Sequence, residues 1–129
     1  TDYAVAIYYD AVAKGSYQCF VREDTVLPMM YMDDAVRATM QLMDAEKDKI
    51  TVRTAYNLAA ISFSAKELAE NVAKHIPNFK CTFVPDERQK IADSWPKTID
   101  DSKARRDWAW QHEYDLGKIS VEMIRNLKK

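Results

Sequence analysis

Glycine is almost missing from this chain. Of 129 residues only Gly15 and Gly117 are glycine, and they stand near opposite ends. A loop that brings backbone up to a pyrophosphate at a helix N-terminus needs three closely spaced glycines. Neither a dinucleotide fingerprint nor a P-loop can be assembled from these residues. Cysteine is equally sparse: Cys19 and Cys81 stand alone, with no C-x-x-C pair. That excludes a disulfide scaffold and fits a reducing compartment. Only His75 and His112 could join the cysteines around zinc, and neither sits at ligand spacing. A G-x-S-x-G nucleophile motif is absent. No apolar run approaches membrane-spanning length, and no signal peptide is expected. Nor does either sign of charge dominate. Nineteen basic residues face twenty acidic ones, for a net charge of -1. The signs are interspersed, which argues against a nucleic-acid surface and against a disordered charged tail.

What is present suits one domain, or part of one, spanning residues 1–129. With 47% hydrophobic residues the chain can bury a real core. It opens on Thr1 rather than Met and runs straight into a helical pattern. Chain starts are usually loose unless tied down, so a processed, truncated or partial sequence is expected.

Ala4, Ile7, Tyr8, Ala11 and Val12 recur at helical spacing and predict a helix over 2–14, with Asp2 at its start and Gly15 as its stop. Residues 17–22 and 26–32 read as strands, Pro28 demoting part of the second to an edge or bulge. Asp33 and Asp34 are expected to cap a helix to about Ala45. A short strand follows at 53–58. Ser64 and Glu67 then form a capping box, with Phe63 and Leu68 placed for a hydrophobic staple. Leu68, Val72 and Ile76 make that helix's buried stripe, and Pro77 ends it. A strand at 80–84, a charged helix from Pro85 broken at Ser94-Trp95-Pro96, a helix from Asp101 to Trp108 and a last helix over 114–127 complete the chain. Leu116, Ile119, Met123 and Leu127 face inward on that last helix. The fold class expected is mixed α/β and helix-rich, with strands too short for a large sheet.

Few residues suggest chemistry. Tyr114 and Lys118 have the spacing by which an ammonium lowers a tyrosine pKa. However, no strand or catalytic hydroxyl stands correctly upstream, so chance spacing is the better reading. Asp33 and Asp34 could pass as paired carboxylates but read first as helix-start acids. Met29, Met30, Met32, Met40 and Met43 could form a pliable surface, though core packing suits most of them better. His75, near a helix C-terminus, and His112, in a surface turn, carry bland roles. Trp95 differs. An aromatic in a helix-breaking loop is as well suited to a lid or ligand contact as to a core.

The order of motifs carries a resemblance. Residues 27–38 (Leu-Pro-Met-Met-Tyr-Met-Asp-Asp-Ala-Val-Arg-Ala) resemble the strand-into-helix signature of extended short-chain dehydrogenases and nucleotide-sugar epimerases. Tyr56-Asn57-Leu58-Ala59 resembles their Y-N-hydrophobic turn. Asp101-Ser102-Lys103-Ala104 and Trp108-Ala109-Trp110 resemble their late D-x-S-K-A and L-G-W pattern. Within that family, Thr1 to Val5, Leu27 to Tyr31, Pro85 to Gln89 and Ala92 to Pro96 look like the short-chain L-threonine 3-dehydrogenases. The resemblance covers the whole chain. Leu27 falls where epimerases usually carry an arginine for the nucleotide phosphate, which suits a small substrate without phosphate.

The resemblance implies the C-terminal, substrate-binding part of an NAD-dependent enzyme whose Rossmann core is largely missing here. The whole enzyme would oxidise L-threonine to 2-amino-3-ketobutyrate, with catalytic Tyr, Lys and Ser/Thr and the NAD site upstream of Thr1. This chain alone is then expected to be inactive. Thr1 and Asp2 match a loop lining the threonine site, and Trp95 matches a tryptophan that closes over it. Thr1 and Trp95 should therefore approach each other. Arg88 could hold a substrate carboxylate or serve a structural ion pair. A homodimer is implied for the whole enzyme, in the cytoplasm or, in eukaryotes, the mitochondrial matrix. Two rivals remain: a non-catalytic interaction module of the same fold, and a fragment of a nucleotide-sugar epimerase or dehydratase.

Overall fold

The structure is a computed structural model, and it describes residues 2–129. Its elements run α1 (Tyr3–Lys14), β1 (Ser16–Cys19), β2 (Val26–Met29), α2 (Met32–Asp44), β3 (Ile61–Ser64), α3 (Ala65–Ala73), β4 (Lys80–Phe83), α4 (Arg88–Ser94), α5 (Ser102–Trp108) and α6 (Leu116–Leu127). The mixed, helix-rich reading holds. Two small two-stranded sheets accompany the helices: β1 pairs parallel with β4, and β2 antiparallel with β3.

The first helix follows its local signals. Asp2 accepts a hydrogen bond from the Ala4 N–H at 2.9 Å, answering one of the orphan donors at the helix start. At the other end Gly15 adopts φ 67°, a left-handed stop that glycine takes without strain. The capping box is also present. Glu67 N–H donates to Ser64 Oγ at 3.1 Å, and Ser64 N–H donates to Glu67 Oε2 at 2.7 Å. Leu68 and Val72 are buried on α3 as the spacing requires, whereas the helix ends at Ala73 rather than at Pro77, and Ile76 is buried in the turn that follows it.

Helices α1, α3 and α6 pack on one another, and β1 lies along α1. Their shared core includes Ile7, Tyr8, Val21, Phe63, Leu68 and Val72. Deep in it, the Tyr8 hydroxyl meets Ser120 Oγ at 2.7 Å and ties α1 to α6. Burial pushes the Tyr8 phenol up to about 12, and the Ser120 hydrogen bond offsets this only in part. Ile119 and Ile124 are the buried apolar positions of α6, while Leu116, Met123 and Leu127 pack at its margin half-buried.

A second, smaller core gathers Ala38, Ala104 and Trp110, with Met30, Tyr56, Leu58 and Trp108 around it. Here several expectations are corrected. No strand forms over 53–58. That stretch has no neighbouring strand, and its side chains are used sideways: Tyr56 Oη donates to Asp107 at 2.7 Å, and Leu58 packs on the small core. The strand lies instead at Ile61–Ser64, immediately before the capping box. Asp33 and Asp34 do not cap α2, because Tyr31 occupies the N-cap without a side-chain hydrogen bond. Asp34 is instead wholly buried, and its oxygens accept from the backbone N–H groups of Glu113 and Tyr114 at 3.0–3.1 Å. Arg37 completes the set with a 2.6 Å hydrogen bond. Burial alone would raise the Asp34 pKa, but these donors outweigh it and hold the carboxyl below its ordinary value.

The methionine expectation fails in part. Met29 and Met30 are half-buried, but Met32, Met40 and Met43, with Val36, are each more than half exposed along α2. Their spacing puts them on one side of that helix, opposite buried Ala38. His112 is half-buried rather than on the surface, and its Nδ1 has no partner among the described residues.

Candidate functional site

A cleft of about 310 Å³ opens beside the start of α1, walled by β2 and by the segment carrying α4. One side is Asp2 and Tyr3 from the start of α1. Leu27, Pro28 and Met29 from β2 make another, with Phe20 and Val21 after β1. Arg88, Ile91, Ala92 and Trp95 complete it from α4 and its C-terminal edge. Two of the three residues singled out from the sequence, Asp2 and Trp95, therefore line one cavity although they lie at opposite ends of the cleft-forming sequence. Thr1 lies outside the described residues.

Chain geometry explains the convergence. The parallel β1–β4 pair carries the chain from Phe83 back alongside Cys19, with Val84 N–H donating to Cys19 O at 2.8 Å and Asp86 N–H to Phe20 O at 3.2 Å. That extension delivers α4 to the same edge as the start of α1. Ser94, Trp95 and Pro96 then end the helix, leaving Trp95 59% exposed at the cleft mouth.

The lining is mostly apolar, with one anion and one cation. Asp2 is exposed apart from its capping bond. Arg88 is held in place from two sides. Its guanidinium lies 3.4 Å from the centre of the Phe20 ring, and its Nε donates to both oxygens of Asp86 at 3.0 Å. The Arg88 hydrogen bond pulls Asp86 below the ordinary carboxylate range. Arg88 is thus a structural ion pair and a cleft residue at once. Leu27 is buried on the wall where a phosphate-binding arginine was sought.

Tyr114 and Lys118 do not form a catalytic pair. Tyr114 Oη donates to Asp33 at 3.2 Å, while Lys118 Nζ donates to the Glu113 carbonyl at 2.9 Å. Desolvation, then the Asp33 hydrogen bond, raise the tyrosine pKa, the reverse of what a proton-transferring tyrosine needs. Gly15 ends α1, and Gly117 lies within α6, where an added Cβ would meet Asp115 Oδ1 at 3.3 Å. The two glycines thus lie far apart, Gly117 in the first turn of α6 beside its N-cap Asp115. Among the described residues no group of His, Cys, Asp or Glu is placed to hold a metal ion, and no helix is long and apolar enough to cross a membrane.

Sequence reasoning missed Phe20, Met29 and Ile91 as lining residues, because nothing local marks them. It also missed Gln89, whose only signal was its place at the end of the Pro85–Gln89 motif.

Comparisons with known proteins show what the whole chain is similar to. No family model matches the chain. The mitochondrial L-threonine 3-dehydrogenase of Sus scrofa is 50% identical over 125 residues, covering 96% of this chain but 33% of that protein. An uncharacterised epimerase/dehydratase of Staphylococcus haemolyticus is 43% identical, covering all of this chain and 41% of its own length. Among solved structures, the apo GalE-like L-threonine dehydrogenase of Cupriavidus necator superposes with a TM-score of 0.94 at 47% identity, over 98% of this chain and 45% of that one. A heptose epimerase of Helicobacter pylori, at 17% identity and a TM-score of 0.78, shares the fold alone. This chain spans less than half of each of these relatives. Over nearly its whole length, it matches one portion of the L-threonine 3-dehydrogenases of the GalE-like, extended short-chain type.

Proposed function

We propose that this chain is the substrate-side portion of an NAD-dependent L-threonine 3-dehydrogenase and that its cleft forms one wall of the threonine site. The carrying observation is that Asp2, Arg88 and Trp95 line the same small, mostly apolar cavity. Free threonine is a zwitterion. Asp2 suits its ammonium, the prepositioned Arg88 suits its carboxylate, and Trp95 is placed to cover it and exclude water. Holding a small substrate in one orientation is how such a wall would contribute to rate. Thr1 is kept in the proposal because it adjoins Asp2.

NAD would supply the hydride acceptor when bound, and we assign its binding, with the proton-transferring groups, to polypeptide outside these residues. The 129-residue chain alone should then show no turnover. The exposed apolar stripe of Met32, Val36, Met40 and Met43 fits this arrangement, since a helix face of that kind normally packs against something. Pairing of two such proteins gains no support here, and one relative at 51% identity is described as monomeric. The compartment follows from the whole protein: cytoplasm in a bacterium, mitochondrial matrix in a eukaryote. A nucleotide-sugar substrate is disfavoured by Leu27, which offers its phosphates no cation.

The test is a hybrid in which residues 1–129 replace the matching portion of the Cupriavidus necator enzyme. NAD reduction with L-threonine, and none with a nucleotide sugar, is expected. A folded hybrid that binds NAD but ignores threonine would sink the proposal.

A further inference from the structure

Helix α4 has little apolar material holding it in place. Ile91 and Trp95 are exposed, and Ala92 is half-buried. Its entrance is fixed by the last backbone bond of the strand side, from Asp86 N–H to Phe20 O. Its exit runs into residues 95–101, which form no helix or strand. Between these, three polar side chains join it to the turn after β1.

Gln89, 6% exposed, is the pivot. Its Oε1 accepts from Arg22 N–H at 2.7 Å, and its Nε2 donates to Thr25 Oγ1 at 3.1 Å and to Asp93 Oδ1 at 2.7 Å. One turn further along, Asp93 receives both terminal nitrogens of Arg22, at 2.7 and 3.2 Å. The Arg22 hydrogen bonds, followed by that of Gln89, lower the Asp93 pKa. Apart from the Gln89–Asp93 bond, which braces the two within α4, each of these bonds connects α4 to residues 22–25 and none connects it to the α1–α3–α6 core, and Trp95 follows two residues after Asp93.

We infer that Arg22, Gln89 and Asp93 form a latch that holds α4, and with it Trp95, across the mouth of the cleft, and that release of the latch lets the helix swing about residues 86–88. A seven-residue helix is a lever of roughly 10 Å, so a rotation of about 20° would carry Trp95 some ~3–4 Å, enough to uncover the mouth. These are positioning residues. Their bonds fix where the tryptophan sits and need not touch what the cleft binds.

Nothing in this inference depends on threonine, so its test uses the hybrid protein with no substrate present. Fluorine NMR of fluorotryptophan-labelled protein gives one line for each of Trp95, Trp108 and Trp110, assigned by Trp95→Phe. Asp93→Ala removes the half-exposed end of the latch, and Gln89→Ala the buried end. Each should shift and broaden the Trp95 line and raise its solvent-quenching rate about twofold or more, while the Trp108 and Trp110 lines stay in place. Asp93→Glu should restore part of the original line. A Trp95 line unmoved in Asp93→Ala would overturn the latch, as would equal movement of all three lines in that variant. If Gln89→Ala unfolds the chain, Asp93→Ala decides alone. An inactive hybrid would leave this result standing, and a failed latch would leave the threonine reading standing.

Discussion

The layer of α1, α3 and α6 closes over aliphatic and aromatic side chains, whereas the small core around Trp110 depends on buried carboxylates. Asp34 gathers two backbone N–H groups from the segment before α6. Asp101 accepts from Ala59 N–H at 3.2 Å and from Arg105 at 2.8 Å. Asp107 takes Arg106, Thr51 and Tyr56 at 2.6–2.7 Å. Where apolar mass is sufficient, burial does most to organise the helices, with the Tyr8–Ser120 bond as a buried polar tie. Where it is not, aspartates reach across 42 to 80 positions and pin loops that have no ladder of their own. The Trp110 indole joins them by donating to the Ala59 carbonyl at 3.0 Å.

This contrast can be broken from either side. Leu68→Ala should have the largest effect, destabilising the whole chain by about 3–5 kcal/mol in urea unfolding, because the packed layer cannot collapse around the void. Asp34→Ala should cost about 2–3 kcal/mol, by stranding buried N–H donors. Its effect should be local: amide exchange should quicken in residues 111–115 and spare α3. Acid should act the same way, more gently. Asp34 and Asp107 both have folded pKa values below the ordinary carboxylate value, Asp107 chiefly through Arg106, then Thr51 and Tyr56. Their stabilisation is complete above the unfolded value near ~4 and is lost as pH falls through the lower folded values. Exchange in residues 45–60 and 111–115 should therefore rise below about pH 4 before the α1–α3–α6 amides respond. The smallest effect has the opposite sign. Ala109 sits at φ 57°, where alanine is strained. Ala109→Gly should stabilise the small core by about 1 kcal/mol, measured as a higher unfolding midpoint.

The same contrast explains what could be read from the residues. The packed layer was legible because its signals are local: Asp2 and Gly15 bracket α1, the Ser64–Glu67 box opens α3, and Leu68, Val72 and Ile76 repeat at helical spacing. The pinned region was not. Asp34 is the first-turn acid of α2 that its position suggests, but its backbone partners lie 79 and 80 positions away. Residues 53–58 look like a strand, but a strand needs a neighbour. Of the cleft, Trp95 stood out by its helix-breaking setting, and Asp2 entered through the family resemblance. Phe20, Met29 and Ile91 became neighbours only through the β1–β4 pairing, which no local pattern announces.

The most direct trial is Trp95→Ala in the hybrid enzyme, with threonine and NAD varied separately. If this chain walls the substrate site, kcat/KM for threonine should fall about 10–100-fold while the KM for NAD stays unchanged. A KM for NAD that rises while threonine kinetics hold steady would contradict it.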